Sequence, residues 1–479
     1  MMVNTIGFSP NLGMVRSELD AIVRNTVTLP IRADRMSNGD IGSPPRAKNA
    51  RNGPSIIPVI AAPTAPIFER RTRRQPDFAA DDGRNQSMVR TAIGLELASD
   101  LSEVEQEWRA FEQHADRTVF QSFDWLAKWY RNIGARGGTI PVAVLGRERG
   151  GQLLFIFPLA IDVRGPVRRL TWLGSELCDY NAPLLAKRFA SLLSDEAINA
   201  LWREIVAMLR ADPRFGFDLI DLQKMPELVG EQKNPFLALG SSAHPSGAYV
   251  AELAPDWEQM YAAKRSSATR KKERRQLKHL AEHGEVRFVE AQDQARARTI
   301  DTLIGQKTRS FERMGVGNMF AKPGYAQFYR DIAADPSCRE LIHVSRLEVG
   351  GTAAAASLGL RFRDCYYLVL SSYQDGELAR FGPGRAHLHE LLRHAVERGF
   401  RRFDFTVGDE PYKLDWSDIE LQLWDHLAAV TMRGRIAAAA IAAFRRTKRF
   451  VKQTPALWHA FSKVRAIARR RRFGSSLRQ

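Results

Sequence analysis

The chain has 479 residues, 44% hydrophobic and 26% charged, an ordinary balance for a soluble globular protein of two or three domains, and no long uninterrupted apolar run proposes a membrane span. The formal charge of +17 suggests nucleic acid until it is located: residues from Thr431 to Gln479 hold 14 Lys or Arg and no Asp or Glu, so subtracting 14 leaves +3 on the preceding 430. The basicity belongs to a tail, no specific nucleic-acid partner is expected, and three scattered cysteines without a Cys-x-x-Cys fit a reducing, cytoplasmic setting.

Residues 1–87 carry nine of the 23 prolines and neither Trp nor Tyr, so they cannot bury enough apolar surface to offset ordering and read as a disordered extension without a secretory signal. A translation start at Met88 would account for this segment equally well. Periodicity begins near Ile93. Residues 100–133 read as helices, "PVAVLGRERGGQLLFIFPLAIDV" as a hairpin turning at Gly150-Gly151, "RRLTWLGSELCDYNAPLL" as a strand entering a loop, 192–210 as a helix and "FDLIDLQKM" as a buried strand. This mixture predicts a first α/β (α+β) unit over 93–250.

A second unit is expected over 251–430. Residues 266–283 read as a helix whose basic face includes Arg270, Lys271, Arg274 and Arg275, either solvated or turned to an anionic ligand, with Arg270 and Arg274 as candidate substrate contacts. "LIHVSRLEV", "TAAAASLGLRF" and "CYYLVLSSY" form a predicted meander turning at Gly350-Gly351 and Arg363-Asp364. "FGPGRAHLHELL" then opens a helix, and "RRFDFTVG" supplies the next strand, for an order of β-β-β-α-β.

That helix start is unusual. Its first turn holds no acid, Arg380, Arg385, His387 and His389 surround it, Gly382 suits the cap, Pro383 the first position, and Gly384 lets another molecule approach the backbone. The amides that follow are expected to lack intrahelical acceptors, so a phosphate or pyrophosphate would satisfy them. A metal reading of "HLHELLRH" fails on spacing: His389-Glu390 to His394 is one residue longer than His-Glu-x-x-His, and His387 and His394 rise about 10 Å apart. No metal is expected. Neither a Gly-x-Ser-x-Gly elbow nor a P-loop is present.

The stretches "RKKERRQLKHLAEHGEVRF", "ARFGPGRAHLHELLRHAVERGFRRFDFTVGDEPYKLDW" and "LTWLGSELCDYNAPLL" resemble the GNAT superfamily of acyl-CoA-dependent N-acyltransferases, in its CelD-like, cellulose-biosynthesis branch, related to FemAB-type aminoacyltransferases. The resemblance implies two tandem GNAT-like units with mixed, largely antiparallel sheets flanked by helices, the second binding acetyl-CoA or another acyl-CoA through Arg380, Gly382, Gly384, Arg385, Ala386 and Leu370. The family's usual glutamine or arginine three residues before the first glycine is Ala379 here, with the arginine displaced to Arg380. Direct attack by an amine needs no covalent nucleophile, only a base, an oxyanion site and a proton for the thiolate. Strand amides over 366–371 are candidates for the oxyanion, Tyr412 for the proton donor, and Asp404 and Glu410 for the base. Lys413, Asp179 and Tyr180 are candidate acceptor contacts. The expected acceptor is an amine of a small molecule, an amino sugar or an envelope or polysaccharide precursor. Alternatives are a FemAB-like aminoacyl-tRNA-dependent transferase and a non-catalytic, membrane-associated scaffold.

The tail over 431–479 reads as two helical segments broken near Pro455, with Ile436, Ile441, Phe444, Phe450 and Trp458 among basic residues, an expected amphipathic contact with anionic membrane.

Overall fold

The computed structural model describes residues 93–453, so the reading of 1–87 and the second tail segment lie outside the described residues. The chain builds the same sequence of elements twice. The first half runs β1 (Ile93–Ala98), α1 (Leu101–Glu112), α2 (Phe123–Trp129), β2 (Ile140–Glu148), β3 (Leu153–Asp162), β4 (Arg169–Trp172), α3 (Asp195–Ala211) and β5 (Leu219–Pro226). A strand, β6 (Ala248–Glu252), and a helix, α4 (Ser267–Ala281), lead to the second half. That half repeats the pattern as β7 (Val286–Glu290), α5 (Asp293–Met314), α6 (Tyr325–Ala334), β8 (Ile342–Val349), β9 (Thr352–Phe362), β10 (Cys365–Tyr373), α7 (Pro383–Glu397) and β11 (Arg402–Val407). The chain continues through β12 (Ile419–Leu421), β13 (Leu423–Ala429) and α8 (Met432–Gln453).

Each half makes an antiparallel meander whose last strand pairs in parallel with the strand after the crossover helix: β4 with β5, and β10 with β11. The expected turns occur. Gly350 and Gly351 both take positive φ, 57° and 77°, as a two-residue turn matched to strand twist demands. The next strand of each sheet is exchanged. β6 follows the first half in sequence but pairs with β11, while β13 follows the second half and pairs with β5. The first sheet therefore runs β1-β2-β3-β4-β5-β13 with two short flanking strands, and the second runs β7-β8-β9-β10-β11-β6-β12. A boundary drawn at residue 250 cuts through β6, and the segment 423–429 completes the sheet of the first half.

The halves share buried contacts. The Trp125 ring meets Phe328 edge-on at 4.9 Å, and Asn132 donates to Asp331 at 2.9 Å. α8 packs on the first sheet: Arg445 donates to buried Asp221 at 2.6 Å and lies 3.7 Å from Asp425, and Ile441 is buried beside it. Residues 431–453 are thus a docked helix rather than a free tail.

Candidate active site

Strands β10 and β11 pair only at Cys365↔Arg402, Tyr366↔Phe403 and Tyr367↔Asp404, then part. Two local features drive them apart. Between the pairs Gly359↔Leu368 and Leu358↔Leu370, β10 carries one extra residue, Val369, a bulge that bends the strand away. On the other strand Thr406 has φ of 59°, a left-handed conformation rare for a β-branched residue. Asp404 holds that turn by accepting from the Thr406 amide at 2.7 Å, and the Thr406 hydroxyl reaches back to the Leu368 carbonyl at 3.3 Å.

The parted strands open into a cavity of about 1290 Å³. One end of it is the start of α7. Gly382 is left-handed at φ 71°, Pro383 takes the first position, and neither an acid nor a side-chain cap occupies the first turn. In the repeat, α3 begins with Ser194 accepting from the Ala197 amide and with Asp195 and Glu196 in its first turn. A negative charge is already built into the first half's helix start and absent from the second's, which favours the second half for an anionic group.

The expected set of free amides is smaller than the sequence suggested. Arg385 and Ala386 both donate to the Gly382 carbonyl, at 3.0 and 3.1 Å, because the left-handed Gly382 tightens the turn; the Gly384 amide has no backbone acceptor among the described residues. Arg380 and Arg385 are exposed at the cavity, with Arg380 also donating to Glu377 at 2.9 Å, and Gly384 and Leu370 line it too. Ala386 instead packs beside Leu280, Val349 and Ala354. His387 adds no positive charge: its Nε2 lies 3.0 Å from the Ser345 hydroxyl, and burial pushes its pKa down to about 3.

At the other end, Tyr412 lines the cavity beyond β11 and bonds the Ser371 side chain of β10, so its phenol spans the split. Withdrawal from solvent, reinforced by the Glu410 charge, raises its pKa and keeps it protonated at neutral pH. Glu410 lines the wall, 3.0 Å from Lys413 Nζ. That ammonium also donates to the Thr406 and Val407 carbonyls, at 3.1 Å each, which uses its three protons on the protein itself. Lys413 therefore braces the turn after β11 and is not placed to hold an acceptor's anion.

The loop after β4 carries first-half residues into this site. Asp179 lines the cavity near the Thr406 side chain, Lys224 and Lys413; burial raises its pKa. Tyr180 points away from the cavity and donates to both Asp404 oxygens, at 2.8 and 2.9 Å. Asp404 does not line the cavity, and its oxygens are taken by Tyr180 and Thr406, so it positions the Thr406 turn and does not face an acceptor. Of α4, the residues at the wall are Thr269, Lys272, Glu273 and Gln276, one face of a helix. Arg270 and Arg274 fall about 100° away: Arg270 lies 6.0 Å from the Tyr261 ring, and Arg274 is exposed.

The histidine spacing also misses a trio formed through space. Glu290, His343 and His394 bring one ligand atom each within 4.8 Å of one another. Glu290 is already paired with Arg398 at 2.9 Å and Arg361 at 3.5 Å, so a cation there would face two guanidiniums.

Burial, opposed by the Tyr180 and Thr406 hydrogen bonds, pushes the Asp404 pKa up to about 7 from 3.8. The folded state then holds this proton more tightly than the unfolded chain, so its contribution to stability is lost as pH rises from about 4 to about 7 and is flat above. In Asp404→Asn the amide oxygen still accepts from Thr406 and Tyr180. Urea midpoints measured at pH 5 and pH 7.5 are expected to differ less in the variant than in the parent protein; an unchanged difference would show that Asp404 does not titrate in this window.

Residues 267–414 match the family model described as an acetyltransferase (GNAT) domain. The chain carries a GNAT acetyltransferase domain and is an acyltransferase. Similar solved structures include FemX, 12% identical over 70% of this chain and 95% of that one, with a TM-score of 0.47. A conserved protein of Bacteroides thetaiotaomicron is 8% identical over 70% of this chain and 100% of its own, at 0.45. A tandem GNAT protein from the clavulanic acid biosynthesis pathway is 12% identical over 70% of this chain and 98% of its own, at 0.35. At such identities and scores these likenesses carry no argument about the acyltransferase's substrate. Among curated proteins, none matches the sequence.

Proposed function

We propose that this acyltransferase moves an acyl group, in the simplest case acetyl, from acyl-CoA to an amine by direct attack on the thioester. The observation that carries the reading is the parting of β10 and β11 beside a helix start that holds no acid. The CoA pyrophosphate is assigned to the Gly384 amide with Arg380 and Arg385, and the thioester to the opening between the strands, past Leu370. The acceptor enters from the side walled by Asp179 and Glu410, either of which can take the ammonium proton. The amine nitrogen then bonds the carbonyl carbon, whose oxygen is stabilised by an amide of the bulged β10, and the carbon–sulfur bond breaks. Tyr412 supplies the proton that the departing thiolate takes up and regains one from the nitrogen, which sheds it on becoming an amide. Stoichiometric CoA binding by calorimetry, followed by thiol release from acetyl-CoA across amine and amino-sugar panels, tests this. Transfer that requires aminoacyl-tRNA, without CoA binding, would replace it with the FemAB-like reading.

An envelope or polysaccharide precursor as acceptor draws support from α8 and from the sequence resemblance to the CelD-like branch. Met432, Ile436 and Phe450 are 68%, 73% and 63% exposed, on the helix face opposite buried Ile441 and Arg445, and the segment from Thr431 onward holds no acid. No helix among the described residues is long and apolar enough to cross a membrane. This stripe suits shallow contact with an anionic bilayer. The double variant Ile436→Glu/Phe450→Glu is expected to lower salt-sensitive co-sedimentation with anionic vesicles by about tenfold. Equal sedimentation of parent and variant would exclude the stripe as the contact. Truncation at Val430 is a poorer test, because it strips Asp221 of Arg445.

A further inference from the structure

The cavity wall holds three buried ammonium groups, and two are engaged by the protein. Lys413 has Glu410 and two carbonyls, and Lys224 donates to the Cys178 carbonyl. The third, Lys307 of α5, is 8% exposed and lines the cavity. Among the described residues it makes no hydrogen bond or ion pair; its contact is the Phe311 ring, 5.8 Å from Nζ. Its neighbour Gln306 is fixed, donating to the Ala353 carbonyl and accepting from Ser372, so the helix does not roll freely to release the lysine. The Lys307 Nζ is not sealed into the wall but open to the cavity, so its three donors are available to an anion arriving with the ligand, which would form charge-assisted bonds there.

We propose that Lys307 reads an anionic group, carboxylate or phosphate, carried by the acceptor, so that the acyltransferase selects amines bearing a negative charge. This rests on the acyl-transfer reading above and assigns the acceptor's class within it. No carboxylate of the wall makes an ion pair with Lys307 among the described residues: the Glu410 charge acts on it through space, opposed by Lys413, with which Glu410 is paired at 3.0 Å. Burial pulls the Lys307 pKa down to about 8, so near that pH part of the population is a neutral, acylatable amine. That gives a readout independent of turnover.

Calorimetry with CoA on the full-length protein comes first; absence of binding would reject the acyl-transfer reading. With CoA bound, Lys307 is trace-labelled at pH 8 with acetic anhydride and followed by mass spectrometry. N-acetylglycine or inorganic phosphate is expected to slow its labelling about fivefold, since at pH 8 one unit of raised pKa takes the neutral fraction from about a half to about a tenth, and the neutral N-acetylglycinamide is expected to leave the rate unchanged. The faster-protecting anion tells carboxylate from phosphate. If neither anion protects, or the neutral amide protects equally, the inference falls. Lys307→Met is expected to bind CoA as the parent does; a loss of tenfold or more would assign the ammonium to the cofactor's phosphates and overturn the proposal.

Discussion

Replacing Tyr412 by phenylalanine is expected to lower turnover about a hundredfold while leaving acetyl-CoA affinity within about twofold. The phenol spans the split between β10 and β11 through Ser371, and its ring meets Phe405 edge-on at 6.2 Å. Phenylalanine keeps that packing and removes only the hydroxyl. A proton donor acts on charge that develops as the thiolate leaves, so its loss falls on the transition state and spares ground-state binding. Steady-state kinetics paired with calorimetry decide the point. Retained turnover across the pH range would make Tyr412 a packing residue.

Gly384→Val is expected to weaken CoA about a hundredfold, some 2.7 kcal/mol. A Cβ at this position would already lie 3.2 Å from the Tyr373 ring, before valine's two methyl groups are added beside the amide that lacks an acceptor. Glycine is the weaker helix former, so the substitution does not threaten α7 itself. A thermal melt like the parent's together with lost CoA binding is the expected pair of results. Parent-like affinity in the folded variant would move the pyrophosphate elsewhere.

The meander and its crossover helix were legible because their signals are local: glycine pairs at turns, a Gly-Pro start and period-two strands. Residues 266–283 read as one helix and form Ser267–Ala281. What was not legible depends on partners distant in sequence. Nothing in "AYVAE" says that β6 joins β11, and nothing in "LWDHLAA" says that β13 joins β5. α4 is polar nearly all round, so its residues carry no phase, and nothing local distinguishes Arg270 and Arg274 from Thr269, Lys272 and Gln276. Lys307 went unnoticed because a lysine in a long charged helix reads as solvated. Asp404 is a candidate base by residue type and position, and nothing local shows that its oxygens are already taken. Its partner, Tyr180, lies 224 residues earlier.

The reciprocal placement of β6 and β13 makes the two halves mutually dependent for their folding. A fragment cut to residues 267–414, the span of the family match, would lack β6 and leave the outer edge of β11 without its partner, while the first half alone would leave β5 open. Bare edges of that kind invite pairing with other chains. Loss of either half would therefore disable both sheets, and the gene can neither shed the unit without the acid-free helix start nor lend the other to a new context as a ready-made module.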